Sequence, residues 1–168
     1  GSLTTETIPA LFARQAAALD HRPLFLVKRG GAYIPVTWRQ AQEEVRALCA
    51  FFLDAKLQPG DRVLILSESR PEWGIADLAI QSAGGWTVPI YPSLTEQDLQ
   101  AICHDAEPVM GVVSSLDQAK KLAAVGAHTP SLRRILVMDT APAADRLLLN
   151  WHEALRRGRE ASSSLQAL

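Results

Sequence analysis

Five serines and two carboxylates stand where apolar runs give way to helix starts, and these side chains have types and places that could do chemistry. Ser67 and Ser69 follow RVLIL, Ser93 follows WTVPIY, and Ser114 and Ser115 follow VMGVV. A serine nucleophile of the hydrolase kind needs a sharp Gly-x-Ser-x-Gly turn to project its oxygen, and none of the five has one. Serines at strand ends commonly cap the next helix or form the turn. Glu68 and Glu72 straddle the turn SESRPEW. So placed, they can act as an acid–base pair; they can equally be solvated, with Glu72 favouring the positive end of the helix that follows.

The same turn speaks to nucleotides. A dinucleotide site needs glycines after the first buried strand so that a pyrophosphate can approach the backbone, and SESRPEW has none. No glycine-rich run ends in Lys followed by Ser or Thr, so a P-loop is missing too. His21, His104, His128 and His152 show no metal-ligand spacing. Cys103 and His104 are adjacent and face different ways on a helix. WHEALRR opens like a zinc-protease motif but has Arg156 where a histidine is needed. These histidines read as surface or capping residues, and no catalytic or metal-binding residue is assigned.

Ligands of open α/β sheets bind at the carboxyl ends of strands. Tyr91, Pro92 and Ser93 occupy such an end, before a helix capped by Thr95 whose unpaired amides favour anions. Pro89 and Pro92 stiffen the same stretch, so a packed corner without a ligand also accounts for the pattern.

The elements that must position these residues follow from periodicity. Thr7 and Pro9 start a helix over IPALFARQAAALD, with Ile8, Leu11, Phe12 and Leu19 at helical spacing. PLFLVKRGGAYIPVTW reads as a hairpin turning at Gly30-Gly31, a candidate antiparallel edge. Thr37 and Gln40 form a capping box ahead of a helix whose stripe is Ala41, Val45, Leu48 and Phe52. From Asp61 the order is strand, helix, strand, helix, strand, helix, strand. The strands are RVLILS, WTVPIY, VMGVVS and RRILVMD. Continuous apolar runs suit strands covered on both faces, so the fold class is α/β, a mostly parallel sheet with helices packed on it and an early β-hairpin. NWHEALRRGRE is a short helix capped by Asn150; ASSSLQAL, 161–168, is expected to be frayed or a linker after an ordered 7–160.

The 168 residues carry a formal net charge of -1 and are 48% hydrophobic, which fits one domain with an aliphatic core. That charge gives no basic field for nucleic acid or an anionic membrane. Cys49 and Cys103 read as reduced thiols of a cytosolic protein. No apolar run is long enough to span a bilayer and no secretory leader is visible; Gly1-Ser2 reads as a cleavage scar.

The stretch PGDRVLILSESRPEWGIADLAIQSAGGWTVPIYPSLTEQDLQAICHDAEPVMGVVS resembles the leading region of AMP-forming acyl-CoA synthetases, members of the adenylate-forming superfamily. The fixed points are Gly60-Asp61, Pro71-Glu72-Trp73, Gly84 with Pro89, and Tyr91-Pro92. VTWRQAQEEVRALCAFFLDAKLQPGDRV and WHEALRRGRE are similar as well, so the likeness runs from about Thr7 to Glu160 and is nearest to long-chain fatty-acid–CoA ligases.

The resemblance implies that 1–168 is an N-terminal subdomain fragment of the large domain. The whole protein would use ATP, Mg²⁺ and CoA to turn a fatty acid into acyl-AMP and then acyl-CoA. Its phosphate loop and catalytic lysine would lie beyond Leu168, leaving this part an inactive scaffold that binds none of the three tightly. The resemblance also implies that Tyr91, Pro92 and Ser93 lie on the CoA side. The expected partners are the remainder of the same polypeptide and a second copy in a homodimer, through apolar surface at Leu24, Leu26, Phe51 and Trp86. The expected place is the cytoplasm, peripheral to a membrane. The alternative is a free-standing α/β binding or interaction module.

Overall fold

A computed structural model describes residues 23–29, 32–139 and 145–166, with side chains described in 37–139 and 145–164. The helix expected over IPALFARQAAALD, the Gly30-Gly31 turn and the side chains of Leu24 and Leu26 lie outside these residues. Strands β1 (Pro23–Arg29) and β2 (Ala32–Thr37) pair antiparallel, with Arg29 opposite Ala32. They form a two-stranded sheet by themselves, which corrects the expectation of an edge on the main sheet. The reason is local: Thr37 ends β2 and at once caps a helix, so the chain leaves the hairpin plane.

Helix α1 (Trp38–Asp54) starts on the expected capping box. The Gln40 amide donates to Thr37 Oγ1 at 3.2 Å, and the Thr37 amide donates to Gln40 Oε1 at 2.8 Å. Its buried residues include the whole stripe of Ala41, Val45, Leu48 and Phe52. Phe51 is buried too and meets Phe52 edge-on, with ring centroids 5.9 Å apart, so it is not part of an exposed face.

The main sheet comprises β3 (Arg62–Leu66), β4 (Trp86–Ile90), β5 (Met110–Val113), β6 (Arg134–Val137) and β7 (Leu148–Asn150). Its order is β4-β3-β5-β6-β7 and every pairing is parallel. The connecting helices are α2 (Pro71–Ser82), α3 (Glu96–Ala106) and α4 (Leu116–Gly126), and α5 (Trp151–Gln166) follows β7. Alternation along the strands divides the core. Val63 and Ile65 of β3 pack with α1, α2 and α5, whereas Leu64 and Leu66 pack with α3 and α4. The result is three layers, helix on sheet on helix, as the continuous apolar strands require.

Two further findings depart from expectation. β7 is a fifth parallel strand; three residues are too few to show a period in sequence. α5 continues to Gln166, through the segment expected to be frayed or a linker. Ala161 and Ser162 are half-buried there, the Ser164 hydroxyl donates to the Glu160 carbonyl at 3.1 Å, and extending a formed helix costs little.

Candidate functional site at the carboxyl ends of the strands

The strand order is doubly wound. The chain steps from β3 to β4 on one side, then crosses back to place β5 on the other. In sheets of this order ligands sit at the carboxyl ends, where the winding reverses, which here is the gap between β3 and β5. The residues around that gap are Ser67, Glu68 and Arg70 after β3, and Ser114 after β5.

Arg70 fills the gap. Its Nε donates to Glu72 Oε2 at 2.8 Å, and its Nη1 lies 3.0 Å from Asp139 Oδ1 beyond β6. The same nitrogen is 3.4 Å from the Ser114 carbonyl and 3.7 Å from Glu68 Oε1. Burial opposes the charge on Arg70, but Glu72 and then Asp139 more than offset this, and its pKa lies above the ordinary guanidinium value. Glu68 and Glu72 are therefore not an acid–base pair; both face the arginine between them.

Beside this cluster, at the ends of β3 and β4, lies a groove of about 330 Å³ lined by Ser67, Ser69, Trp73, Pro89, Ile90 and Tyr91. That is the lower end of the size of small-molecule sites, with the usual apolar walls and few hydroxyls. Tyr91 is 81% exposed. Pro92 and Ser93 are not in the lining. The Pro92 carbonyl instead accepts from Lys121 Nζ at 2.7 Å, and the Leu94 carbonyl accepts from the same group at 3.0 Å. Thr95 caps α3 through the Asp98 amide, as expected. A larger groove of about 820 Å³ runs between α1 and α5, past Cys49 and Leu53. None of its lining residues follows the carboxyl end of a strand of the main sheet, and it is the weaker candidate.

Ser67 and Ser115 take structural places. Ser67 is buried and donates to the Glu68 carbonyl at 2.8 Å, and Ser115 caps α4 through the Gln118 amide. His104, His128 and His152 are exposed, and His21 lies outside the described residues. Among the described residues no three His, Cys, Asp or Glu side chains are arranged to hold a metal ion. The crevice between β3 and β5 does not suit a phosphate either. Its one guanidinium faces three carboxylates, and Pro71 removes an amide from the start of α2.

Sequence reasoning missed Arg70. An arginine with acids two residues to either side was a visible signal, but Asp139 could not be paired with it from sequence.

Residues 12–166 match the family described as AMP-binding enzyme. The chain belongs to that family. Among curated relatives of this AMP-binding enzyme chain is the long-chain-fatty-acid–CoA ligase FadD15 of Mycobacterium bovis. It is 34% identical over 119 residues, which cover 70% of this chain and 20% of that protein. Human mitochondrial acyl-coenzyme A synthetase ACSM5 is 33% identical over 101 residues, covering 60% and 17%. The chain thus spans about a fifth of the length of these relatives. The adenylation domain of a carboxylate reductase from Mycobacterium chelonae superposes with a TM-score of 0.80 at 20% identity, over 95% of this chain and 30% of that one. That likeness shows the fold: the α/β fold expected for the N-terminal region of an adenylate-forming enzyme is the one observed. No helix among the described residues is long and apolar enough to cross a membrane.

Proposed function

We propose that this AMP-binding enzyme chain is the scaffolding N-terminal part of an acid–thiol ligase for long-chain fatty acids. The complete protein joins the acid to coenzyme A in two steps. The carboxylate attacks the α-phosphorus of ATP and pyrophosphate leaves; the thiol then attacks the acyl carbonyl and AMP leaves. The observation that carries this reading is the 34% identity to FadD15 over 119 residues. Mg²⁺ supplies charge neutralisation at the phosphates in such chemistry. The acidic crevice around Arg70 favours a division of labour in which the phosphate-gripping groups belong to the remainder of the polypeptide.

The chain's own part is to hold one sheet layer and present the groove of Trp73 and Tyr91 to the cleft. Tyr91, Pro92 and Ser93 lie on the coenzyme A side in this reading, with Lys121 holding the Pro92 and Leu94 carbonyls. The partners are the rest of the polypeptide and a second copy, and the protein works in the cytoplasm at the edge of a membrane that supplies its acid.

The test is direct. The complete open reading frame is expected to catalyse fatty-acid-dependent ATP–pyrophosphate exchange and to form the CoA thioester, whereas this chain alone does neither. Exchange by this chain alone, or its absence from the complete protein, overturns the reading.

A further inference from the structure

We infer that Arg70 is a positioning residue: it fills the crevice where the winding reverses and ties together the ends of β3, β5 and β6, leaving the Trp73–Tyr91 groove as the open ligand surface. The inference rests on the reading of the strand ends as the ligand side.

Three observations carry it. The first is place. In a sheet of this order the gap between β3 and β5 is where a ligand enters, and Arg70 lies across it, reaching the Ser114 carbonyl after β5 and Asp139 after β6. The second is partnership. Its Nε is committed to Glu72, on the first turn of α2, and its Nη1 to Asp139. The planar fork uses a separate nitrogen for each partner, Nε for Glu72 and Nη1 for Asp139, whereas a lysine would have one nitrogen and a shorter reach for both. The third is what the brace holds. Glu72 is next to Trp73, which lines the groove together with Tyr91, so the brace is anchored one residue from the groove wall. The Arg70 side chain is only 22% exposed, and three carboxylates surround it. An incoming anion would have to displace them, so the role is internal rather than ligand-binding.

Amide exchange on this chain tests the brace without any activity. Arg70→Met and Arg70→Lys are both expected to speed exchange in 67–73, 110–115 and 135–139 by about tenfold, the scale on which local opening reads the loss of a strong contact. Arg159→Met, an ion-pair control on α5, is expected to leave those segments unchanged. Asp139→Asn, at an exposed site that tolerates substitution, is expected to speed exchange at 67–73 and 135–139; no change there overturns the brace even where Arg70→Met fails to fold. Arg70→Lys matching the unsubstituted chain, or a uniform rise across the sheet, also overturns it.

In the complete polypeptide, Arg70→Lys is expected to raise the KM for coenzyme A several-fold with ATP–pyrophosphate exchange retained. Equal losses in both half-reactions overturn the positioning role. A complete polypeptide with neither half-reaction removes the ligase reading and leaves amide exchange to decide Arg70.

Discussion

Gly158 of α5 lies against the Ala47 carbonyl of α1, so close that a Cβ at position 158 would overlap that oxygen. The two helices pack backbone to backbone at this point. Gly158→Ala should gain up to about 1 kcal/mol in helix propensity, yet the obstructing atom is backbone and cannot rotate away. Overpacking of this kind costs roughly 1–3 kcal/mol, so the net change is destabilising. Thermal unfolding is expected to shift down by several degrees, and an unchanged or raised midpoint would show that the helices part without cost.

Lys121 holds the corner after β4 through two carbonyls. Lys121→Met keeps the stem and removes the donors. Charge-assisted bonds of this kind are worth about 1–2 kcal/mol together at a half-buried site. Exchange of the Leu94 amide, which donates to the Tyr91 carbonyl at 3.1 Å, is expected to quicken while β5 and β6 stay protected. Exchange that stays slow at Leu94 would mean that Pro89 and Pro92 alone set the corner.

Arg159 and Glu43 form a two-pronged bridge between α5 and α1, at 2.6 and 2.9 Å. The bond from Arg159 holds the Glu43 carboxyl below the usual carboxylate range, against the opposing effect of burial. A carboxyl depressed in the folded state adds stability that is present above its unfolded pKa and is lost as pH falls through the folded value. The bridge is half exposed, so its worth is below about 1 kcal/mol. The stability difference between the parent chain and Glu43→Gln is therefore expected to shrink on acidification below the ordinary glutamate pKa of about 4.3. A difference that is constant with pH would remove the bridge as its source.

Cys103 is buried and Cys49 half-buried, and burial raises both thiols above the ordinary value. The thiolate is the reactive form, so both should label slowly at neutral pH. Cys49, which lines the open groove between α1 and α5, is expected to react first, and Cys103 only on unfolding. Mass spectrometry of partially labelled chain reads the order, and early labelling of Cys103 would contradict its burial on the inner face of α3.

Much of the architecture was legible because its causes are short-range. The Thr37–Gln40 box, the Thr95 cap and the stripe of α1 depend on residues within a few positions of each other. Gly60 and Gly84, fixed points of the family resemblance, adopt positive φ, +82° and +88°. What could not be read is that the Gly60 amide donates to the Gly84 carbonyl at 2.9 Å, joining two turns on either side of α2.

The site divides in the same way. Sequence marked Tyr91 as a strand-end residue, and the structure sets it in the groove wall; it also marked Pro92, whose carbonyl turns out to be held by Lys121. The sequence by itself determined helices α1 to α4, the strands β3 to β6 and the capped turns, since hydrophobic period and capping chemistry act over single turns of chain. Only the tertiary structure decided that β5 lies beside β3, that the hairpin stands apart, and that Arg70 meets Asp139. Those facts depend on which crossover packs on which face of the sheet, a choice made by contacts between distant residues, and no local pattern encodes it.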